Sequence, residues 1–152
     1  MLMAKPSWLI SEVARLAHPL LTGRLATAGS RGYHYRLLAA LAEFGPASQA
    51  SLGRHTGMDR SDVAAAVNEL AARGLVSRVP DPADRRRNVI SITQAGAARL
   101  RRLDGLLDGV QDELLAPLSP AERQQLARLL NRLLEHHARL MRPGPGDPRG
   151  AT

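Results

Sequence analysis

Cysteine is absent from the 152 residues. Disulfide frameworks, thiol nucleophiles and thiolate metal sites are excluded with it. Aromatic residues are nearly absent: Trp8, Tyr33, Tyr35 and Phe44 are all there are. The core must therefore be built from leucine, alanine and valine, a composition that suits helices. Lysine is reduced to Lys5, so a formal charge of +7 is carried by arginine. No apolar run approaches the ~18 residues a membrane-spanning helix requires, and Met1–Ile10 lacks the apolar core and cleavage site of a signal peptide. A cytoplasmic protein with no membrane partner is expected. The histidines are His18, His34, His55, His136 and His137, and no two stand four apart. His136 and His137 point roughly 100° apart on a helix, so no metal site is expected. Nor does the sequence contain a nucleophile–base pair, paired carboxylates or a phosphate-binding glycine loop. Neither a cofactor nor an enzymatic activity is expected.

What is present centres on Asp84–Gly96, which opens with one acid and the triplet Arg85-Arg86-Arg87 and then alternates through Val89, Ile90 and Ile92 to Thr93. Together with Gly74–Pro80 it reads as a β-hairpin with an exposed basic tip. Three adjacent arginines repel one another and need solvent or an anion. A short helix from the N-cap Ser48 to Thr56, a turn at Gly57 and a longer helix from the cap Asp59 to Arg73 precede the hairpin. Val63, Val67 and Leu70 set the buried stripe of the longer helix. Helix, turn, helix and hairpin make a winged helix-turn-helix. The outward face of the second helix carries Ser61, Ala65 and Asn68. Ser61 and Asn68 can bond base edges, Ala65 can meet a thymine methyl, and Arg60 and Arg78 are placed for phosphate. Asp62 and Glu69 oppose DNA, so affinity must come from the arginines.

The flanks are helical. The spacing predicts a helix over 7–21, capped by Ser7 and ended or kinked by Pro19, then a loop over 22–32 and a helix over 33–44 closed by Gly45-Pro46. Downstream, helices are expected over about 94–115 and 120–142, the second opened by the capping box Ser119–Glu122, with a disordered tail over 143–152. The expected fold class is mainly α with a small β-hairpin, one domain with a winged head at 33–93. The leucine faces of 7–21, 94–115 and 120–142 exceed what so small a head can cover. A second copy is expected to cover them, through Leu9, Val13, Leu16, Leu126, Leu130, Leu133, Leu134, His137 and Leu140. A twofold homodimer suits two half-sites about one DNA turn apart.

With Leu70, Gly74-Leu75-Val76, Asp84-Arg85-Arg86, Thr93 and Gly96 at these spacings, the chain resembles the MarR (multiple antibiotic resistance regulator) family of winged-helix transcription factors. The resemblance reaches over most of 8–142. Ala71, Ala65 and Gly53 depart from the family's usual glutamate, polar or basic residue, and alanine. The resemblance implies that Arg86 enters a minor groove, that Asp84 braces the loop, and that Arg85 and Arg87 face phosphates. It also implies a homodimeric repressor on a pseudo-palindromic operator, released by a phenolic or aromatic small-molecule effector. Trp8, Arg15, His18, Tyr33, His34 and Arg36 are the candidate lining of that effector's pocket. The absence of cysteine excludes the thiol-oxidation switch of some relatives. The alternative reading is a winged-helix module that binds protein and whose charge is incidental.

Overall fold

The computed structural model describes residue 1 and residues 4–140. Among the described residues six helices and three short strands follow one another: α1 Pro6–Thr27, α2 Gly32–Phe44, β1 Ala47–Ser48, α3 Gln49–Thr56, α4 Arg60–Ala72, β2 Val76–Pro80, β3 Asn88–Ile92, α5 Gln94–Leu114 and α6 Pro120–Leu140. The fold is mainly helical with a small antiparallel sheet in the order β1-β3-β2. Met141 and the 143–152 tail, expected as helix end and disorder, lie outside the described residues. The chain divides into two compact units, one ending at Asp112 and one beginning at Glu113.

In the first unit the winged head closes around Leu37, Leu38 and Leu41 of α2, Leu52 of α3, Val63, Val67 and Leu70 of α4, Val76 of β2 and Ile90 of β3. The stripe of α4 is thus the buried one that its spacing predicts. Ser48 caps α3 as expected, its hydroxyl accepting from the Ser51 amide at 3.2 Å. Gly57 makes the turn into α4 in the left-handed region at φ 67°, where side chains are disfavoured. β2 and β3 pair in register from Val76↔Ile92 to Pro80↔Asn88. β1 was not legible, because two residues carry no alternation. It forms only by pairing Ala47↔Ile90 and Ser48↔Val89 with β3.

Three expectations need correction. Pro19 neither ends nor breaks α1, which runs on to Thr27 through most of the expected loop. Proline removes one helix hydrogen bond and crowds the preceding turn, at about 3 kcal/mol or more. Past it, Leu20, Leu21 and Leu25 pack on Leu103, Leu107 and Val110 of α5. Leu25 is buried there and Leu20 and Leu21 partly so; at about 1.5–3 kcal/mol for a fully buried leucine, their burial together with that of the α5 side chains they cover offsets the proline. The Thr22 hydroxyl also donates to the His18 carbonyl at 3.0 Å. Ser7 is not the cap either: Lys5 holds that position and Pro6 starts the helix, where a missing N–H costs nothing. Finally, the apolar face of α5 does not await a second copy. Leu100 joins the head core, while Leu103, Leu107 and Val110 close on α1.

At its end α1 is held by arginines from α5 and from the end of α4. Arg73 donates to the Gly29 carbonyl at 3.2 Å, and Arg99 reaches the Ala28 carbonyl. Tyr35 of α2 donates to Asp104 of α5 at 2.8 Å. Burial first, and then that carboxylate, push the phenol up to about 12.

In the second unit α6 begins with the expected capping box. The Ser119 amide donates to the Glu122 carboxylate at 2.8 Å, and the Glu122 amide to the Ser119 hydroxyl at 3.3 Å. That backbone bond, and then the hydroxyl, hold the Glu122 carboxyl below its usual range. No residue of α6 is buried. Among the described residues, no helix is long and apolar enough to cross a membrane.

Gly96 is where space is tightest: a Cβ there would stand 2.0 Å from the Leu75 carbonyl oxygen and 2.9 Å from the Ile92 side chain. Gly96→Ala is expected to cost about 1–3 kcal/mol or more, as overpacking does. Gly105→Ala meets nothing within 4 Å and should gain about 0.5–1 kcal/mol from helix propensity. Denaturant melts of both variants check the pair; equal stability of the two would refute the close approach.

The phenol of Tyr35 is raised above its unfolded value of about 10, so its contribution to stability is complete below pH 10 and fades as pH rises through about 12. Tyr35→Phe should therefore flatten that alkaline loss, and lower stability at neutral pH by roughly 1 kcal/mol. Unfolding curves from pH 8 to 12 measure it. An unchanged alkaline slope would mean that another group causes the loss.

Candidate nucleic-acid interface

The wing tip is a folded loop. Its base is closed by the Asp81 amide donating to the Arg87 carbonyl at 2.8 Å. Two aspartates shape its interior, as Asx turns do. The Asp81 carboxylate accepts from the Ala83 amide at 2.9 Å, and that of Asp84 from the Arg86 amide at 3.1 Å. Asp84 also takes the Arg86 guanidinium at 3.0 Å and that of Arg87 at 3.7 Å. The Arg86 side chain, and then its backbone amide, hold the Asp84 carboxyl below its usual range. The Arg86 side chain remains 90% exposed. Held at one edge by Asp84, it projects into solvent from a shaped loop.

Between α3, α4 and the wing lies a groove of about 940 Å³. Ser48, Gln49, Ala50, Gly53 and Arg54 line it from β1 and α3. Met58, Arg60 and Ala64 line it from the turn and α4, and Arg86, Arg87 and Asn88 from the wing. Four arginines and no carboxylate face it, which is a setting for a polyanion. Of the expected DNA-contacting residues, the groove brings together Arg60, Arg86 and Arg87. Ser61, Ala65 and Asn68 stand exposed on one face of α4, and Arg85 is exposed on the wing. Arg78 of β2 donates to the Asn68 amide oxygen at 2.5 Å, so strand and helix share one polar pair. Ser48, Gln49, Arg54, Ala64 and Asn88 were missed. Their one signal was the Ser48 cap, which directs the start of α3 but does not say what faces it.

Glu69, expected to oppose DNA, is held by α2. Its carboxylate lies 2.6 Å from Nε2 of His34, a residue only 4% exposed. The Arg31 amide points at Nδ1 of that ring at 3.4 Å, so Nε2 is the nitrogen that donates to Glu69. Of the effector candidates, His34 is thus engaged by α4, while Arg15 pairs locally with Glu12 at 2.9 Å, which raises its pKa through that hydrogen bond and charge. Trp8 and Tyr33 are 39% and 45% exposed, and His18 and Arg36 are exposed. None of the six lines the arginine groove.

Residues 30–87, the head and most of its wing, match the MarR family model. A protein of Pseudomonas aeruginosa described as a probable transcriptional regulator is 32% identical, with a TM-score of 0.74, over 88% of this chain and 99% of that one. The chain belongs to the MarR family. The PcaV transcriptional regulator of Streptomyces coelicolor, solved in complex with its natural ligand, is 30% identical with a TM-score of 0.72, covering 89% of this chain and 95% of that one. Among curated MarR-type regulators, the HTH-type transcriptional repressor NicR of Pseudomonas putida is 34% identical over 98 residues, 64% of this chain and 62% of that protein. This match thus spans about three fifths of NicR's length.

Proposed function

We propose that this MarR-family chain is a homodimeric, sequence-specific DNA-binding transcriptional regulator, and that it represses until an aromatic or phenolic anion releases it. The observation that carries the DNA reading is the groove. Arg54, Arg60, Arg86 and Arg87 converge where α3, α4 and the wing meet. The α4 face of Ser61, Ala65 and Asn68 supplies the groove-reading surface. Arg86 supplies the minor-groove guanidinium, which a narrow A·T-rich groove attracts. Each wing arginine set against phosphate releases counterions on binding, so affinity falls steeply with salt. The protein-interaction alternative predicts no such dependence on a duplex.

Repression and release rest on likeness: NicR is named a repressor, and PcaV was solved with its natural ligand. The dimer rests on exposed apolar side chains in both units. On α1, Leu9, Val13 and Leu16 are 42%, 50% and 55% exposed; on α6, Leu130, Leu133, Leu134 and Leu140 are 38%, 48%, 67% and 68% exposed. Leu126 is half-buried and His137 exposed. Apolar surface on this scale marks an interface.

Arg86→Ala removes the minor-groove contact and no core contact. Folding should change by less than about 0.5 kcal/mol, while DNA affinity falls by about 1–3 kcal/mol, more on A·T-rich flanks. Arg101→Ala, exposed on α5, removes the same charge with a much smaller loss. Binding isotherms at two salt concentrations decide: equal losses would reduce the wing to diffuse charge, and no loss would remove it from the interface.

Light scattering tests the dimer. The chain should run as a dimer, and Leu130→Glu with Leu133→Glu as a monomer with weakened operator binding. A monomeric parent chain would refute the interface. For the effector, a panel of benzoates and phenols should contain compounds that raise the melting temperature and weaken DNA binding together. If none moves either quantity, the aromatic effector is wrong.

A further inference from the structure

We propose that Arg78 and Asn68 act as one guanine-reading unit, in which Arg78 touches the base and Asn68 is the positioning residue that aims it. The inference deepens the DNA-binding reading and rests on it. Arginine has donors only. The atom of Asn68 that receives the Arg78 guanidinium at 2.5 Å is therefore the amide oxygen, and the assignment follows from chemistry. That oxygen is engaged by a charged donor, and what the asparagine holds in surplus is its amide N–H groups. The remaining guanidinium N–H groups of Arg78 are donors as well.

The two-point bond of asparagine with adenine spends the side-chain oxygen as its acceptor, the atom Arg78 already engages here, so the pair presents chiefly donors. They match the base edge that carries two acceptors in the major groove, O6 and N7 of guanine. Both residues are exposed, and Asn68 shares the outward face of α4 with Ser61 and Ala65. Arg78 sits at the middle of β2, opposite Ile90. Its backbone is fixed by the sheet while its side chain is fixed by the helix. A long side chain anchored at both ends loses little freedom on meeting a base, which favours specificity over mere attraction.

The test is selection from random duplex DNA with the full chain, Arg78→Met and Asn68→Ala, each checked for folding by circular dichroism. The parent chain should enrich a motif with guanine at one position in each half-site. Arg78→Met should lose that guanine preference by at least about fivefold, leave the other positions unchanged, and gain adenine there as the Asn68 oxygen is released. Asn68→Ala should keep the same guanine with a weaker preference. A parent motif that Arg78→Met retains, with a uniform loss of affinity, overturns the proposal and makes Arg78 a phosphate contact. A parent chain that enriches no motif overturns the DNA-binding reading itself, and this proposal with it.

Discussion

The Leu75 carbonyl takes the Thr93 amide at 3.1 Å and lies where a Cβ of residue 96 would have to be. Around this point three elements are tied. The Leu75 amide donates back to Leu70 at 2.9 Å and closes α4. The Thr93 hydroxyl donates to the Gly74 carbonyl at 2.7 Å and accepts from the Gly96 amide at 3.0 Å. So the end of α4, both roots of the wing and the start of α5 share one clamp. The aim of the basic loop relative to α4 depends on it, because nothing at the loop itself is buried deeply enough to set a direction.

This clamp explains why Gly74-Leu75, Thr93 and Gly96 were the informative residues of the sequence. Each does a job that few side chains can do, so each leaves a mark. The stripe of Val63, Val67 and Leu70 was legible for a similar reason, since burial at helical spacing imposes a period. The serine cap of α3 and the Ser119 box were legible because capping demands particular oxygens. What escaped the sequence was set by partners distant in the chain. Pro19 reads as a stop, and only the leucines of α5 show why α1 passes through it. β1 is strand solely because β3 lies beside it. Arg54 and Gln49 acquire a role only when the wing folds over against α3. The pairing of Asn68 with Arg78 crosses from helix to strand and has no local signature.

The distribution of charge follows the same logic. A carboxylate among the wing arginines looks like a defect for a DNA binder. Here Asp84 shapes the loop and sets the angle of Arg86, so one negative charge is spent on order. Glu69 is drawn to His34 and turned from the face that Ser61, Ala65 and Asn68 present. Between them the two acids leave the groove lined by arginine alone among its charged residues. The departures from the usual family residues fit this picture. Ala71 packs against the head core, and Gly53 leaves its neighbour room, since a Cβ there would be 3.3 Å from the Met58 carbonyl.

We propose that α3, the exposed face of α4 and the wing together form the surface that meets duplex DNA. Hydrogen–deuterium exchange of the full chain, with and without a selected duplex, tests it most directly. Protection on binding should fall on residues 48–68 and 78–88, with α2 and α5 changing little. Protection confined to the helices outside this surface, or none anywhere at saturating duplex, would contradict it.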